Sequence, residues 1–237
     1  MIKCKMKHLV ILSYGASGTN VLVDQLFNNK HIDVHLYKEP LCMKKSRNSK
    51  LKNGLVTWKQ HIEQLIKKTK DKKLLIHIKP QHFKKLGVSL EEGIDYLKDT
   101  FDFIFVERKN YLARMSSAAF KPRSKYRITE TQVHVNANLD RLKKMSKINA
   151  TLKYLIKDYN HICLTYEDHI NPGPRIAADM ITKYFNIYHD YDYKNYRVNY
   201  HTTKNKYSDV KLCDKIINFG DLVDEFTDTT YYWMLWE

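Results

Sequence analysis

His8-Leu9-Val10-Ile11-Leu12-Ser13 leads into Tyr14-Gly15-Ala16-Ser17-Gly18-Thr19-Asn20, and a helical pattern follows from Val21 to Phe27. The apolar run reads as a buried strand, and the two glycines carry the chain round a turn into a helix start. Such a turn leaves backbone N–H groups without helical partners and brings the positive end of the helix dipole to the same point. That point is an anion site. Gly15 and Gly18 let the backbone approach a phosphate or sulfate, while Ser17, Thr19 and Asn20 add side-chain hydrogen bonds. The loop of ATP- and GTP-hydrolysing proteins needs Lys and then Ser or Thr after its second glycine. Here Thr19-Asn20 follow Gly18, which argues against nucleotide hydrolysis.

A second anion site lies further along. Phe101-Asp102-Phe103-Ile104-Phe105-Val106 reads as a buried strand, followed by Glu107-Arg108-Lys109-Asn110 and a helix through Tyr111 to Ala118. Arg108 at the strand end and Ser116 two turns into the helix can hold one further phosphate, the first by a charge-assisted fork and the second by its hydroxyl.

This pair of motifs, in this order, resembles the sulfotransferase family, whose members use 3'-phosphoadenosine 5'-phosphosulfate as sulfuryl donor. Ala16-Ser17-Gly18-Thr19 is similar to the family's 5'-phosphosulfate loop except at Ala16, where the family carries Lys or Arg. Arg108 and Ser116 stand at the family's usual spacing for the 3'-phosphate motif, with Ser117 counted from Lys109 as an alternative register. Leu164-Thr165-Tyr166-Glu167-Asp168 and the helix after it resemble a further family segment, which implies that Tyr166 contacts the adenosine half of the donor. The end of the chain, Ile217 to Leu222 and Thr229 to Leu235, looks like the C-terminal segment of bacterial and polysaccharide-type members. The resemblance implies a P-loop-like nucleotide-binding fold. It also implies sulfuryl transfer to a hydroxyl or amine of a carbohydrate or small-molecule acceptor.

Composition narrows the alternatives. A chain of 237 residues, 43% hydrophobic and without a Pro/Gly/Ser-rich linker, is expected to form a single domain spanning residues 1–237. Apolar strands (8–13, 34–37, 74–79, 102–107, 161–165) alternate with helical patterns (19–28, 58–70, 89–98, 110–120, 131–158, 174–186). This alternation predicts an α/β fold, a central parallel sheet flanked by helices, with ligands at the carboxyl ends of the strands. The net charge of +15 suits an anionic donor and an anionic acceptor such as a glycan. Nucleic acid is the rival partner, and a nucleotide-binding or kinase-like protein without sulfuryl transfer is a further alternative. No helix-turn-helix, zinc-finger or RNA-sheet motif is present. The four cysteines are scattered without metal or redox spacing, so no metal is expected. The apolar run near the start is too short for a signal peptide or a membrane span, which predicts a cytoplasmic location.

Sulfuryl transfer is an in-line displacement that needs a base for the acceptor proton and a cation for the leaving phosphate oxygen. With Ala16 in the family's cation position, the replacements are His77 and Lys79, which alternation places on one face of the strand Leu74 to Lys79. Gln81 and His82, just beyond Pro80, are placed on the acceptor side. The base is assigned to Glu39, because Tyr37-Lys38-Glu39-Pro40-Leu41 resembles the Glu-Pro segment of bacterial members. The negative charge of the bound donor is expected to raise its pKa toward neutrality. His35 is the alternative base. The stretch from Lys121 to Leu139 covers the acceptor pocket in the family, which brings Arg123, Tyr126, Arg127 and His134 toward substrate.

Overall fold

Leu9 and Ile11 face one side of a parallel sheet and Val10 and Leu12 the other, and helices cover both sides. The computed structural model describes residues 7–15, 17–34, 39–42, 49–69, 71–120, 132–188, 190 and 211–236. Its strands are β1 (His8–Ser13), β2 (Ile32–Val34), β3 (Lys73–Ile78), β4 (Phe101–Glu107) and β5 (His161–Thr165). They form one five-stranded sheet in the order β2-β3-β1-β4-β5, parallel throughout. Every residue of β1 is buried, as a parallel strand covered on both faces requires.

The helices are α1 (Thr19–Phe27), α2 (Ser49–Lys52), α3 (Trp58–Lys68), α4 (Pro80–Lys85), α5 (Leu90–Leu97), α6 (Tyr111–Phe120), α7 (Leu139–Ile156), α8 (Pro174–Tyr184), α9 (Leu212–Lys215) and α10 (Phe219–Phe226). Leu22 and Leu26 of α1 and Ala177, Ala178 and Ile181 of α8 pack on the face of Leu9 and Ile11. On the opposite face Ile62 of α3, Phe83 of α4, Ile94 of α5 and Leu152 of α7 pack against Val10, Leu12, Phe103 and Phe105. A third cluster joins Tyr111, Leu112 and Met115 of α6 to Leu212, Leu222, Phe226 and Met234 near the end of the chain.

β1 sends its connection to the α1 face, whereas its neighbours β3 and β4 lead into α4 and, beyond α6, into α7 on the other face. The carboxyl ends of β1, β3 and β4 therefore meet at a switch point of the topology, the place where open α/β sheets hold ligands.

The structure departs from the sequence reading at several elements, among them the unexpected helices α2, α9 and α10. β2 spans Ile32–Val34 among the described residues and so starts two residues before the expected 34–37, of which 35–37 lie outside the described residues. The helix expected over 131–158 begins at Leu139, where the Asn138 side chain accepts a hydrogen bond from the Arg141 N–H and stops the helix from extending backward. Before it, Val133 makes a parallel bridge to Ile216. α4 replaces an expected loop, with Pro80 at its first turn, where a missing N–H costs nothing. No helix among the described residues is long and apolar enough to cross a membrane.

Candidate functional site

At the carboxyl end of β1 the loop turns through Gly15 at φ 99° and Gly18 at φ 74°, a region where a side chain is strained. Gly18 also caps α1, which has no side-chain cap and no acidic residue in its first turn. The helix start is thus left for an outside anion to neutralise. Thr19 is buried, Asn20 is exposed, and the Ser17 hydroxyl donates to the Gly15 carbonyl at 3.2 Å, bracing the turn. Gly18 has a second reason to be glycine. A Cβ there would lie 2.6 Å from the Tyr166 ring and 2.9 Å from Ile170, so the loop packs directly on the turn that follows β5. Ala16 lies outside the described residues.

Beside this loop, β3 delivers a second group of side chains. Ile11 stands opposite His77 in the register, and two residues on, the Ser13 hydroxyl lies 2.7 Å from His77 Nε2. The other ring nitrogen, Nδ1, faces Glu39 Oε1 at 3.7 Å, and His82 Nε2 faces Glu39 Oε2 at 3.8 Å. Lys79 Nζ closes on Glu39 Oε1 at 2.5 Å. The Glu39 carboxylate, which the sequence reading set beside the donor's negative charge, is thus met by a cation and two imidazoles. The Lys79 stem lies against the loop, with Cε 3.4 Å and Nζ 3.8 Å from where a Cβ of Gly15 would be. Gln81 ties the two strand ends together by donating from Nε2 to the Tyr14 carbonyl at 3.2 Å.

The end of β4 carries Arg108, expected from the sequence to serve a second anion site. Arg108 is stacked 4.4 Å from the Tyr166 ring centroid, and Nη1 donates to the Ser117 hydroxyl at 3.1 Å. Its Nε is buried without a hydrogen-bond partner, since Glu167 Oε1 at 3.9 Å is too far to accept. Burial pushes the guanidinium pKa below the ordinary arginine value, while Tyr166 and Glu167 oppose the shift. Glu167 instead accepts from the backbone N–H groups of Lys109 and Asn110 at 3.0 and 3.1 Å, fixing the turn that carries Arg108. Ser116, paired with Arg108 on spacing, is buried one residue earlier on α6, and the hydroxyl that Arg108 reaches is that of Ser117.

A second guanidinium stands close by, unforeseen in the sequence. Arg114 of α6 is 8% exposed and stacks 4.3 Å from the Tyr14 ring centroid. Its signal was a charged residue between Leu112 and Met115, on a helix turn that is otherwise apolar and buried. Ser13 and Glu167, which brace His77 and the Arg108 turn, also escaped the sequence reading. His134 is exposed, and His35, Arg123, Tyr126 and Arg127 lie outside the described residues.

Among the described residues, Glu39, Cys42 and His82 bring metal-ligand types within 4.8 Å of one another. His82 Nδ1, however, accepts the Lys79 backbone N–H at 3.2 Å. The neutral ring then carries its proton on Nε2, toward Glu39, and turns no lone pair into the cluster.

No protein-family model matches the chain, and neither does any curated protein sequence. Among solved structures, its fold is similar to that of a sulfotransferase from Alicyclobacillus acidocaldarius, with a TM-score of 0.51, 10% identity, and coverage of 78% of this chain and 83% of that one. A sulfotransferase domain from the curacin biosynthetic pathway aligns with a TM-score of 0.47 and 12% identity, over 78% of this chain and 76% of its own. The likeness to the first is one of fold: an α/β domain of sulfotransferase type, built on a parallel sheet flanked by helices.

Proposed function

We propose that the chain transfers a sulfuryl group from 3'-phosphoadenosine 5'-phosphosulfate to a hydroxyl or amine of a carbohydrate or small-molecule acceptor. The observation that carries this reading is the Lys79–Glu39 pair lying against Gly15. It puts a cation and a proton acceptor together at the mouth of an anion loop, which is what an in-line displacement between oxygens requires.

The chain's groups fit both ends of this donor. The 5'-phosphosulfate suits Gly15, Ser17, Gly18, Thr19 and Asn20 at the uncapped start of α1, and Ala16 leaves the cationic role to Lys79 from the neighbouring strand. The 3'-phosphate suits Arg108, whose Nε is an orphaned donor, with Ser116 and Ser117 behind it. Tyr166, between Gly18 and Arg108, supports the adenosine half.

The donor supplies the sulfuryl group. Glu39 takes the proton as the acceptor oxygen or nitrogen bonds to sulfur. The bond from sulfur to the bridging oxygen breaks, its electron pair stays on the phosphate, and the Lys79 ammonium stabilises that charge. His77, held by Ser13, and His82 flank the Glu39 carboxylate and keep it oriented. The products are the sulfated acceptor and 3',5'-adenosine bisphosphate.

The test is label transfer from radiolabelled donor to a panel of sugars, amino sugars and phenols. Transfer to a hydroxyl or amine is expected. Tight bisphosphate binding with no transfer to any acceptor would favour a nucleotide-binding protein without turnover, and binding of oligonucleotides in place of the bisphosphate would favour the nucleic-acid module.

A further inference from the structure

Among the described residues, Arg114 is a buried charge without a counter-charge. Its Nε and Nη1 have no hydrogen-bond partner, and among the described residues no carboxylate lies within ion-pair distance. Burial, with the charges of Arg141 and Arg108, pushes the guanidinium pKa down to about 10, while Tyr14 and Tyr111 oppose the shift. A protein keeps a cation in such a place at a cost, unless a ligand supplies the anion. The stacking has a further consequence: Tyr14 takes up one face of the guanidinium and leaves the Nε and Nη1 donors of its edge unpaired, the fork that a planar or tetrahedral oxyanion would satisfy.

The position says which anion. Arg108 stacks on Tyr166 beyond Gly18, whereas Arg114 stacks on Tyr14, at the opposite end of the loop. The Tyr14 carbonyl is held by Gln81, two residues from Lys79, so Arg114 lies on the side of the Lys79–Glu39 pair. We infer that Arg114 binds an anionic group of the acceptor, a carboxylate, sulfate or phosphate, and thereby selects acidic acceptors. This rests on the sulfuryl-transfer reading for the word acceptor, but the anion site stands on the geometry alone.

Inorganic sulfate is the probe, titrated calorimetrically into the full chain saturated with 3',5'-adenosine bisphosphate. The parent should bind sulfate, and Arg114→Met should weaken it by about tenfold or more, the loss of one charge-assisted fork. Arg114→Lys, which keeps the charge without the fork, should fall between them. Bisphosphate affinity should stay within about twofold in both variants, since only groups facing the donor should move it. Unliganded Arg114→Met should melt at or above the parent temperature, because methionine replaces an unpaired buried charge. Unchanged sulfate binding would overturn the inference. So would an unstable Arg114→Met, which would make the residue structural. A fall in bisphosphate affinity with 5'-AMP affinity unchanged would assign Arg114 to the donor's 3'-phosphate instead. If the parent binds no bisphosphate, the donor reading fails, and the difference in sulfate binding between nucleotide-free parent and Arg114→Met still decides the anion site.

Discussion

Glu39 is approached from three directions, by Lys79 at 2.5 Å and by the rings of His77 and His82, and this sets what its replacement should do. Glu39→Gln keeps shape and reach but removes basicity, so turnover should fall by roughly two to four orders of magnitude with donor affinity nearly constant. Lys79→Met removes the cation and should lower turnover by roughly two to three orders. It also leaves a carboxylate only 14% exposed without its charge partner, which should cost about 1–3 kcal/mol in a denaturant melt. The double variant should regain that stability but not the turnover. Full activity in Glu39→Gln would move the base to another group, with His35 the first to try. At this scale the sequence was legible where residue type and strand alternation decide, as for His77 in β3 and Lys79 just past its end, which both approach Glu39. It was not legible where a helix sets the direction. Ser116 and Ser117 differ by about 100° around α6, and spacing alone could not say which would meet Arg108. Nor can composition mark Arg114 as buried, since that depends on where α6 is laid down.

α4 and α5 meet at Gly93, where a Cβ would lie 2.6 Å from two atoms of the Phe83 ring. Phe83 is itself fully buried and packed edge-on to Trp58 at 5.7 Å, so the ring has little room to move. Two effects oppose each other in Gly93→Ala. Helix propensity favours alanine by about 1 kcal/mol, and overpacking a core costs about 1–3 kcal/mol. Because the contact is with a fixed ring rather than a flexible tip, packing should win, leaving the variant about 1–2 kcal/mol less stable by urea titration. A higher midpoint would show that α5 can shift. Most elements were readable, with β1 and β5 starting and ending where their apolar runs do. The failures have causes. Pro80 signalled the end of a strand, but a proline also opens helices. The stretch before Asn138 was read as helix although Val133 and Val135 alternate as a strand does, because the long helical pattern after it dominated the window.

Across the whole molecule, which carries a net charge of +15, the ends of β1, β3 and β4 deliver a glycine loop, the Lys79–Glu39 pair and Arg108, with Arg114 of α6 stacked beside them. The class of fold followed from the alternation of apolar strands with helical patterns. The order β2-β3-β1-β4-β5 did not, since which strands pair is fixed by long-range packing that no local pattern records. The reading of the site turns on whether Arg108 takes a 3'-phosphate. Isothermal titration of 3',5'-adenosine bisphosphate and of 5'-AMP measures this without knowledge of the acceptor. The bisphosphate should bind about ten to a hundred times more tightly, the equivalent of one charge-assisted contact, and Arg108→Met should abolish the preference. Equal affinities in the parent, or a preference that survives in Arg108→Met, would contradict the assignment.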